Sequence, residues 1–333
     1  MIKAHLIHAD GRIELEVSQA VALEAPKDCT VWVDVLWKQA MDEDQDHRPN
    51  NGRDDHALDL LRSHWHFHPL AIEDAINRQL RAKYERYPTH DFLVLLALDQ
   101  NTSESLDTVP ICMFLRQKLL VTVRHGSIRA VDTVLQRLKT DTRGTNSMDR
   151  LVHLMVDSVV DEFMPLLDRH EDRLDELELR SNRDIRPQVM EDLVTIRREL
   201  LHVRRILTPF QELVRRYIDR EGSDVASECH LLFRDVTDHI LVLQDLVAVR
   251  LEICNGAIQA HANASTERLN VVMKYLAVVS TLGLPMTVIS GVFGMNFDVI
   301  PIAHHNFGFF IAVGLMFFSA GLLMGWFRYK RWL

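Results

Sequence analysis

Two uncharged runs close to the C-terminus constrain this chain more than any other feature. Tyr275 to Phe297 is 23 residues without a formal charge, and Val299 to Phe327 is another 29 with His304 and His305 counted neutral. A helix needs roughly 20 apolar residues to cross a bilayer, and it is the one open-ended element that satisfies its own backbone there. The pattern predicts transmembrane helices over residues 271–293 and 307–327, an outer loop over 294–306, and a basic tail, "RYKRWL", over 328–333. The loop holds no Lys or Arg, whereas Arg268 and Lys274 precede the first span and Arg328, Lys330 and Arg331 follow the second. The positive-inside rule then puts both termini in the cytoplasm of a two-pass integral membrane protein. Two buried core helices of a soluble protein are the alternative, but core helices seldom run this long without charge.

The remaining sequence is of another kind. The formal charge is −9, yet Asp298 is the one acid from Arg268 onward, so the negative excess lies in the body that precedes the spans. An acidic body lacks the basic footprint of a nucleic-acid binder and suits cations. The four cysteines are scattered with no C-x-x-C pair, as expected of buried thiols in a reducing compartment. "MIKAHLIHADGRIELE" has no apolar core of a signal peptide, so none is expected. No P-loop, nucleophile elbow or H-E-x-x-H is found; the reading is of a non-enzyme with no permanently bound cofactor.

Residues 1–145 read as a cytoplasmic α/β domain. Strand-like runs such as "TVWVDVLW", "DFLVLLALD" and "TVPICMFLRQKLLVTVRH" alternate with helical "HPLAIEDAINR" and "SIRAVDTVLQRLK", and Asp10-Gly11 marks a hairpin turn. "MDEDQDHRPNNGRDD" reads as a surface loop. Residues 146–270 form a helical and stalk region: one long helix over "SMDRLVHLMVDSVVDEFMPLLDRHEDRLDELELRS", a second over "RPQVMEDLVTIRRELLHVRRILTPFQELVRRYIDR", and a third from near Ser223 with no stop before the membrane. In the third, Leu232, Val236, Ile240, Leu243, Val247, Leu251, Cys254 and Ile258 recur at three- and four-residue steps. Joined to the first span it gives about 70 residues, or roughly 105 Å of helix. "HWHFH" (His64, His66, His68) allows either a strand with three histidines on one face or a turn into the following helix.

Within the first span, Asn270, Met273, Ala277, Ser280, Leu284, Thr287 and Gly291 fall on one stripe that is small, polar or flexible. Either this seam packs against other helices through small residues, or several copies surround an axis and it lines a pore. Two spans cannot enclose a path alone, so a pore requires assembly of several copies. Pro285 removes one backbone hydrogen bond in this span.

The stripe runs outward to Gly294-Met295-Asn296. That tripeptide at the end of the first of two C-terminal spans, after a long stalk helix and before a basic tail, resembles the signature of the CorA superfamily of divalent-cation channels and transporters. The likeness runs from "HPLAIED" to "RYKRWL". It implies an α+β cytoplasmic domain (an α/β/α sandwich), long stalk helices and two spans in a funnel-shaped homopentamer in a bacterial inner membrane. The implied function is passage of hydrated divalent cations, Mg²⁺ foremost and also Co²⁺ and Ni²⁺. Mg²⁺ sheds its water reluctantly, and a ring of Asn296 side chains, with the backbone near Gly294, suits an ion that keeps its shell. Met295 would pack to fix that ring. Met273 and Leu284 are the expected hydrophobic constrictions and Asn270 and Thr287 polar stations. The resemblance also implies a regulatory role for Mg²⁺, or another divalent cation, bound between neighbouring protomers by Asp74 with Asp235 and by Glu73 with Asp157. The outer loop departs from the family: Ile302 stands where Glu is usual and Asn306 where Lys is, leaving Asp298 as the one acid and adding His304 and His305. Imidazole suits zinc, which keeps open a ZntB-like, proton-driven zinc transporter. A non-conducting membrane-anchored scaffold or sensor is the reading from another class. Partners on the first reading are further copies of the chain, the lipid bilayer and divalent cations, with no nucleic acid.

Overall fold

The computed structural model describes residues 2–8, 12–18, 29–37, 52–77, 80–99, 106–140, 147–181, 187–220, 227–295, 306–330 and 332. The strands are β1 (Ile2–Ile7), β2 (Ile13–Val17), β3 (Thr30–Leu36), β4 (Lys83–Arg86), β5 (Asp91–Leu98), β6 (Thr108–Arg116) and β7 (Leu119–Arg124). They form one seven-stranded sheet in the order β2-β1-β3-β7-β6-β5-β4. The β3–β7 pair is parallel and the other neighbours are antiparallel. The helices are α1 (Gly52–Asp59), α2 (Pro69–Ile76), α3 (Arg129–Thr140), α4 (Met148–Asp161), α5 (Phe163–Ser181), α6 (Pro187–Ile218), α7 (Ser227–Phe293) and α8 (Gly308–Tyr329), with a π-helical turn at Leu60–His64.

The middle strands are apolar almost end to end because helices cover both faces of the sheet. Every residue from Phe92 to Ala97 and from Val109 to Leu115 is buried. Val33, Val94, Phe114 and Val121 share one face and pack with Leu61, Trp65 and Ile72 from the α1–α2 segment. The opposite face carries a buried polar network: Arg124 donates to both carboxylate oxygens of Asp34 (2.9–3.2 Å), Thr122 donates to Asp34 (2.8 Å), and the Trp32 indole donates to Thr122 (3.0 Å). Pro110 is tolerated in β6 because β7 pairs only from Ile111 onward, so its missing N–H has no strand to face.

Two sequence expectations change, and one open alternative is decided. The polar stretch read as a loop is helical from Gly52, because Ala57, Leu60 and Leu61 bury at helical spacing; residues 41–51 lie outside the described set. The first long helix is two, α4 and α5, with Glu162 between them. Pro165 has no N–H for the Asp161 carbonyl and its ring crowds that oxygen, so the helix restarts. "HWHFH" is a turn, not a strand: His66 takes φ 52° and its Nδ1 donates to the Arg62 carbonyl (3.1 Å), and His68 caps α2 by accepting from the Leu70 N–H (3.3 Å). Trp65 and Phe67 are buried on the sheet, and the three histidines do not converge.

The chain divides into two compact units, Met1–Leu179 with Met190–Ala257, and Arg180–Val189 with Ile258–Leu333. In the first, the predicted stripe of α7 is the buried one: Val236, Ile240, Leu243, Val247, Leu251 and Cys254 are all covered. Side chains pin the helices to one another. His170 bonds Glu199 (2.6 Å) between α5 and α6, Arg250 of α7 pairs with Glu171 of α5, and the Gln244 amide donates to the Leu207 carbonyl (3.2 Å). In the second unit, the C-terminal part of α7 and the whole of α8 are long and apolar enough to cross a membrane. α7 runs through Gly256 and Pro285 as one helix of 67 residues.

Candidate functional site

The second unit gives its α7 segment two faces. Asn270, Met273, Ala277, Ser280, Leu284, Thr287 and Gly291 are all exposed in the single chain, Met273 by 67% and Leu284 by 64%. Lys274, Val278, Leu282, Pro285, Met286, Ile289 and Phe293 are buried or half-buried. At about 100° per residue the two sets centre roughly half a turn apart. One side of the segment is thus partly covered within the chain, while the small and polar stripe stays exposed together with bulky Tyr275, Leu276, Val279 and Val288. Thr287 spends its hydroxyl hydrogen on the Gly283 carbonyl (3.0 Å), and Ser290 donates to the Thr287 carbonyl (3.0 Å). Each hydroxyl oxygen keeps lone pairs that can accept from the water of a hydrated cation.

Past Phe293 the backbone tightens. The Gly294 N–H bonds the Ser290 carbonyl (2.9 Å) and the Met295 N–H reaches the Val292 carbonyl (3.4 Å). A Cβ on residue 294 would stand 2.9 Å from the Ser290 carbonyl oxygen, closer than real side chains approach, so the turn requires glycine. Met295 is half exposed. Asn296, Asp298, His304 and His305 lie outside the described residues.

The four acids assigned to regulation are distributed over the first unit. Asp74, near the end of α2, pairs with the Lys83 ammonium (2.6 Å), which also holds Glu85 (2.8 Å). Glu73 beside it is exposed. Asp157 on α4 accepts from Arg137 (2.6 Å), whose second arm reaches Asp161 (3.1 Å). Asp235 on α7 is exposed and sits 4.0 Å from His239 one turn later. Within one chain Asp74 does not join Asp235, nor Glu73 Asp157, in a convergent group of ligands. Among the described residues the group that converges is Asp157, Asp161 and His239, with ligand atoms within 4.8 Å of one another. Sequence reasoning passed over Asp161, His239, Arg137 and Lys83. The signal for the first two was present: each stands four residues after an acid already singled out, on the same helix face. A mixed carboxylate and imidazole set can hold a divalent ion once the Arg137 guanidinium withdraws. His153, one turn before Asp157, is buried, and that burial holds its imidazole below its usual pKa.

Comparison with known proteins bears on all of this. The profile of the family described as "CorA-like Mg2+ transporter protein" matches residues 51–331. The Bacillus subtilis protein YfjQ is 32% identical over 288 residues, covering 84% of this chain and 88% of its own. The cobalt/magnesium transport protein CorA of Thermotoga maritima is 26% identical over 286 residues, covering 84% and 81%. The solved complete structure of the CorA magnesium transporter from Methanocaldococcus jannaschii superposes with a TM-score of 0.82 at 18% identity, over 100% of this chain and 99% of that one, a likeness of fold. With a family profile spanning most of the chain and a relative above 30% identity, the chain belongs to the CorA-like Mg2+ transporter family of divalent-metal transporters.

Proposed function

We propose that copies of this chain assemble, as a pentamer by family resemblance, around an axis lined by the exposed stripe of α7, and that the assembly passes hydrated divalent cations, Mg²⁺ first. The observation that carries the reading is the two-faced α7 segment. One side of it is partly covered within one chain, while the small and polar stripe opposite is open and leads to the glycine-dependent turn at Gly294. In the assembled pore Met273 and Leu284 close the path by dewetting, and Asn270 and Thr287 are stations for the ion's water. Asn296, next after the turn, supplies the amide ring that selects by hydrogen bonding to the hydration shell. Both termini lie in the cytoplasm, in a bacterial inner membrane, by the charge bias of the flanks.

Gating follows from the body. A divalent ion held between protomers by Asp74, Glu73, Asp157 and Asp235 bridges carboxylates that otherwise repel, and it favours the closed state as far as it binds that state better. When the internal ion level falls, the bridge is lost and the path opens.

The test is ion flux into sealed liposomes carrying the purified chain, run with Mg²⁺, Co²⁺, Ni²⁺ and Zn²⁺, with and without a proton gradient. Mg²⁺ entry that ignores the gradient, and its loss in Asn296→Ala with assembly intact, is the expected result. Zinc entry that needs the gradient assigns the ZntB-like alternative, for which His304-His305 in the outer loop is the sequence argument. No flux of any ion from an assembled protein leaves a non-conducting anchor or sensor. A monomer in lipid overturns the pore outright.

A further inference from the structure

Lys83, Glu85 and Tyr87 stand two residues apart on the rim strand β4 and just beyond it, the spacing that puts side chains on one face of a strand. They form a chain of hydrogen bonds that ends on Asp74. Tyr87 donates its hydroxyl hydrogen to Oε2 of Glu85 (2.9 Å), and the Lys83 ammonium donates both to Oε1 of Glu85 (2.8 Å) and to Oδ2 of Asp74 (2.6 Å). The buried Phe92 ring, 5.7 Å from the ammonium, adds a weaker attraction from the sheet side.

The two acids that share the ammonium are not held alike. Glu85 has each of its oxygens taken by a different donor, and the Tyr87 ring that fixes one of them stacks on both His68 (4.6 Å) and His90 (5.0 Å). Asp74 is held by Lys83, and among the described residues no second cation pairs with it. A carboxylate fixed at both oxygens is a standing anchor, whereas one held through a single oxygen can exchange its cation. The ammonium also shows that the Asp74 carboxylate suits a positive charge, because one is already seated on it. All three charged groups are partly buried, so their mutual attraction is screened less than at an open surface.

We propose, resting on the reading of Asp74 as a regulatory ligand, that Glu85 is a positioning residue: anchored by Tyr87, it keeps the Lys83 ammonium tethered beside Asp74 and receives it whenever Asp74 changes to a divalent cation. Without Glu85 the ammonium has Asp74 as its one remaining acid and closes on it. Leaving Asp74 would then strand a half-buried charge, a step that costs far more than moving onto a waiting carboxylate. Glu85 therefore sets how much divalent cation the regulation needs, and it does so through Lys83 without touching the ion.

The experiment is calorimetric titration of the full chain in detergent with Mg²⁺, Asp74→Asn defining the part of the binding that depends on Asp74. Glu85→Gln is expected to weaken that part about two- to fivefold, the span of a partly exposed ion pair, and Lys83→Met to tighten it by a similar factor. The double variant decides the matter. Made in the Lys83→Met background, Glu85→Gln is expected to lose most of its effect, because no ammonium remains to be held, whereas a carboxylate acting by its charge alone weakens binding in both backgrounds. Lys83→Arg, which keeps the charge, is expected to restore the dependence on Glu85. Lys83→Gln takes the place of Lys83→Met should that variant lose its size-exclusion profile. A Glu85→Gln effect of equal size in both backgrounds overturns the proposal, as does an affinity that Glu85→Gln leaves unchanged, and in both cases the reading of Asp74 survives. If Asp74→Asn removes no binding, that reading fails and takes the proposal with it.

Discussion

The Lys83 ammonium lies 2.6 Å from a carboxylate oxygen of Asp74, the acid that a regulatory divalent ion would need. An internal cation thus already holds the place, and a metal ion must compete with it. Lys83 gains from the arrangement: although its partial burial disfavours the charged form, hydrogen bonds to Asp74 and Glu85 raise its pKa above the usual value.

Lys83→Met is therefore expected to make inhibition by internal Mg²⁺ more sensitive. A half-exposed ion pair is worth about 0.5–1 kcal/mol, so the half-blocking concentration should fall about two- to fivefold. Flux from liposomes loaded with graded Mg²⁺ checks it. An unchanged block curve removes Asp74 from the regulatory site. Asp235→Ala, by contrast, should raise basal flux at high internal Mg²⁺.

Gly294→Ala should abolish most transport while the protein still assembles. Its methyl group would meet the Ser290 carbonyl at 2.9 Å, so the turn at residues 294 and 295, just before the proposed filter residue, must shift. A loss of at least about tenfold is expected, since misplacing a polar filter by even an ångström forfeits more than one hydrogen bond at roughly 1 kcal/mol each. Mg²⁺ uptake reported by a trapped fluorescent indicator measures it; wild-type uptake by this variant would mean the turn does not set the filter.

Glu162 gives a pH signature. Burial raises its pKa from 4.5 to about 7 in the folded chain. Between those values the folded state holds the proton that the unfolded state has lost, so this residue makes stability fall as pH rises from about 4.5 to about 7. Glu162→Gln removes that slope. The variant's melting temperature relative to wild type should therefore climb between pH 5 and pH 8, and parallel curves would contradict the assignment.

Arg124→Met should destabilise the first unit by about 3–5 kcal/mol, because it leaves Asp34 as a buried uncompensated charge. Arg124 and Asp34 are 7% and 2% exposed, so solvent cannot substitute. A paired Asp34→Leu/Arg124→Met change should recover much of the loss in urea denaturation.

What the sequence made legible was set by hydrophobic periodicity. The end of α7 at Phe293 and the buried stripe from Val236 to Cys254 both follow from it, because apolar spacing and helix geometry are local. The break at Glu162 was also written locally, in Pro165, but the apolar pattern continues through it and masks it. The adjacency of β3 and β7 was not legible: parallel pairing across 80-odd intervening residues is decided by packing, not by either strand. Nor were the cations that sit on the acids. That Arg137 spans Asp157 and Asp161, and that Lys83 meets Asp74, depends on how α3 and β4 dock against their neighbours.

The strands at the two rims of the sheet carry a further implication. β4, "KYER", has just four residues, three of them charged, and β2, "IELEV", brings two glutamates. Short, charged borders give a neighbouring molecule no continuous ladder to zip onto. Strand annealing between molecules is thereby disfavoured, which leaves side-chain surfaces as the ground for the assembly proposed above.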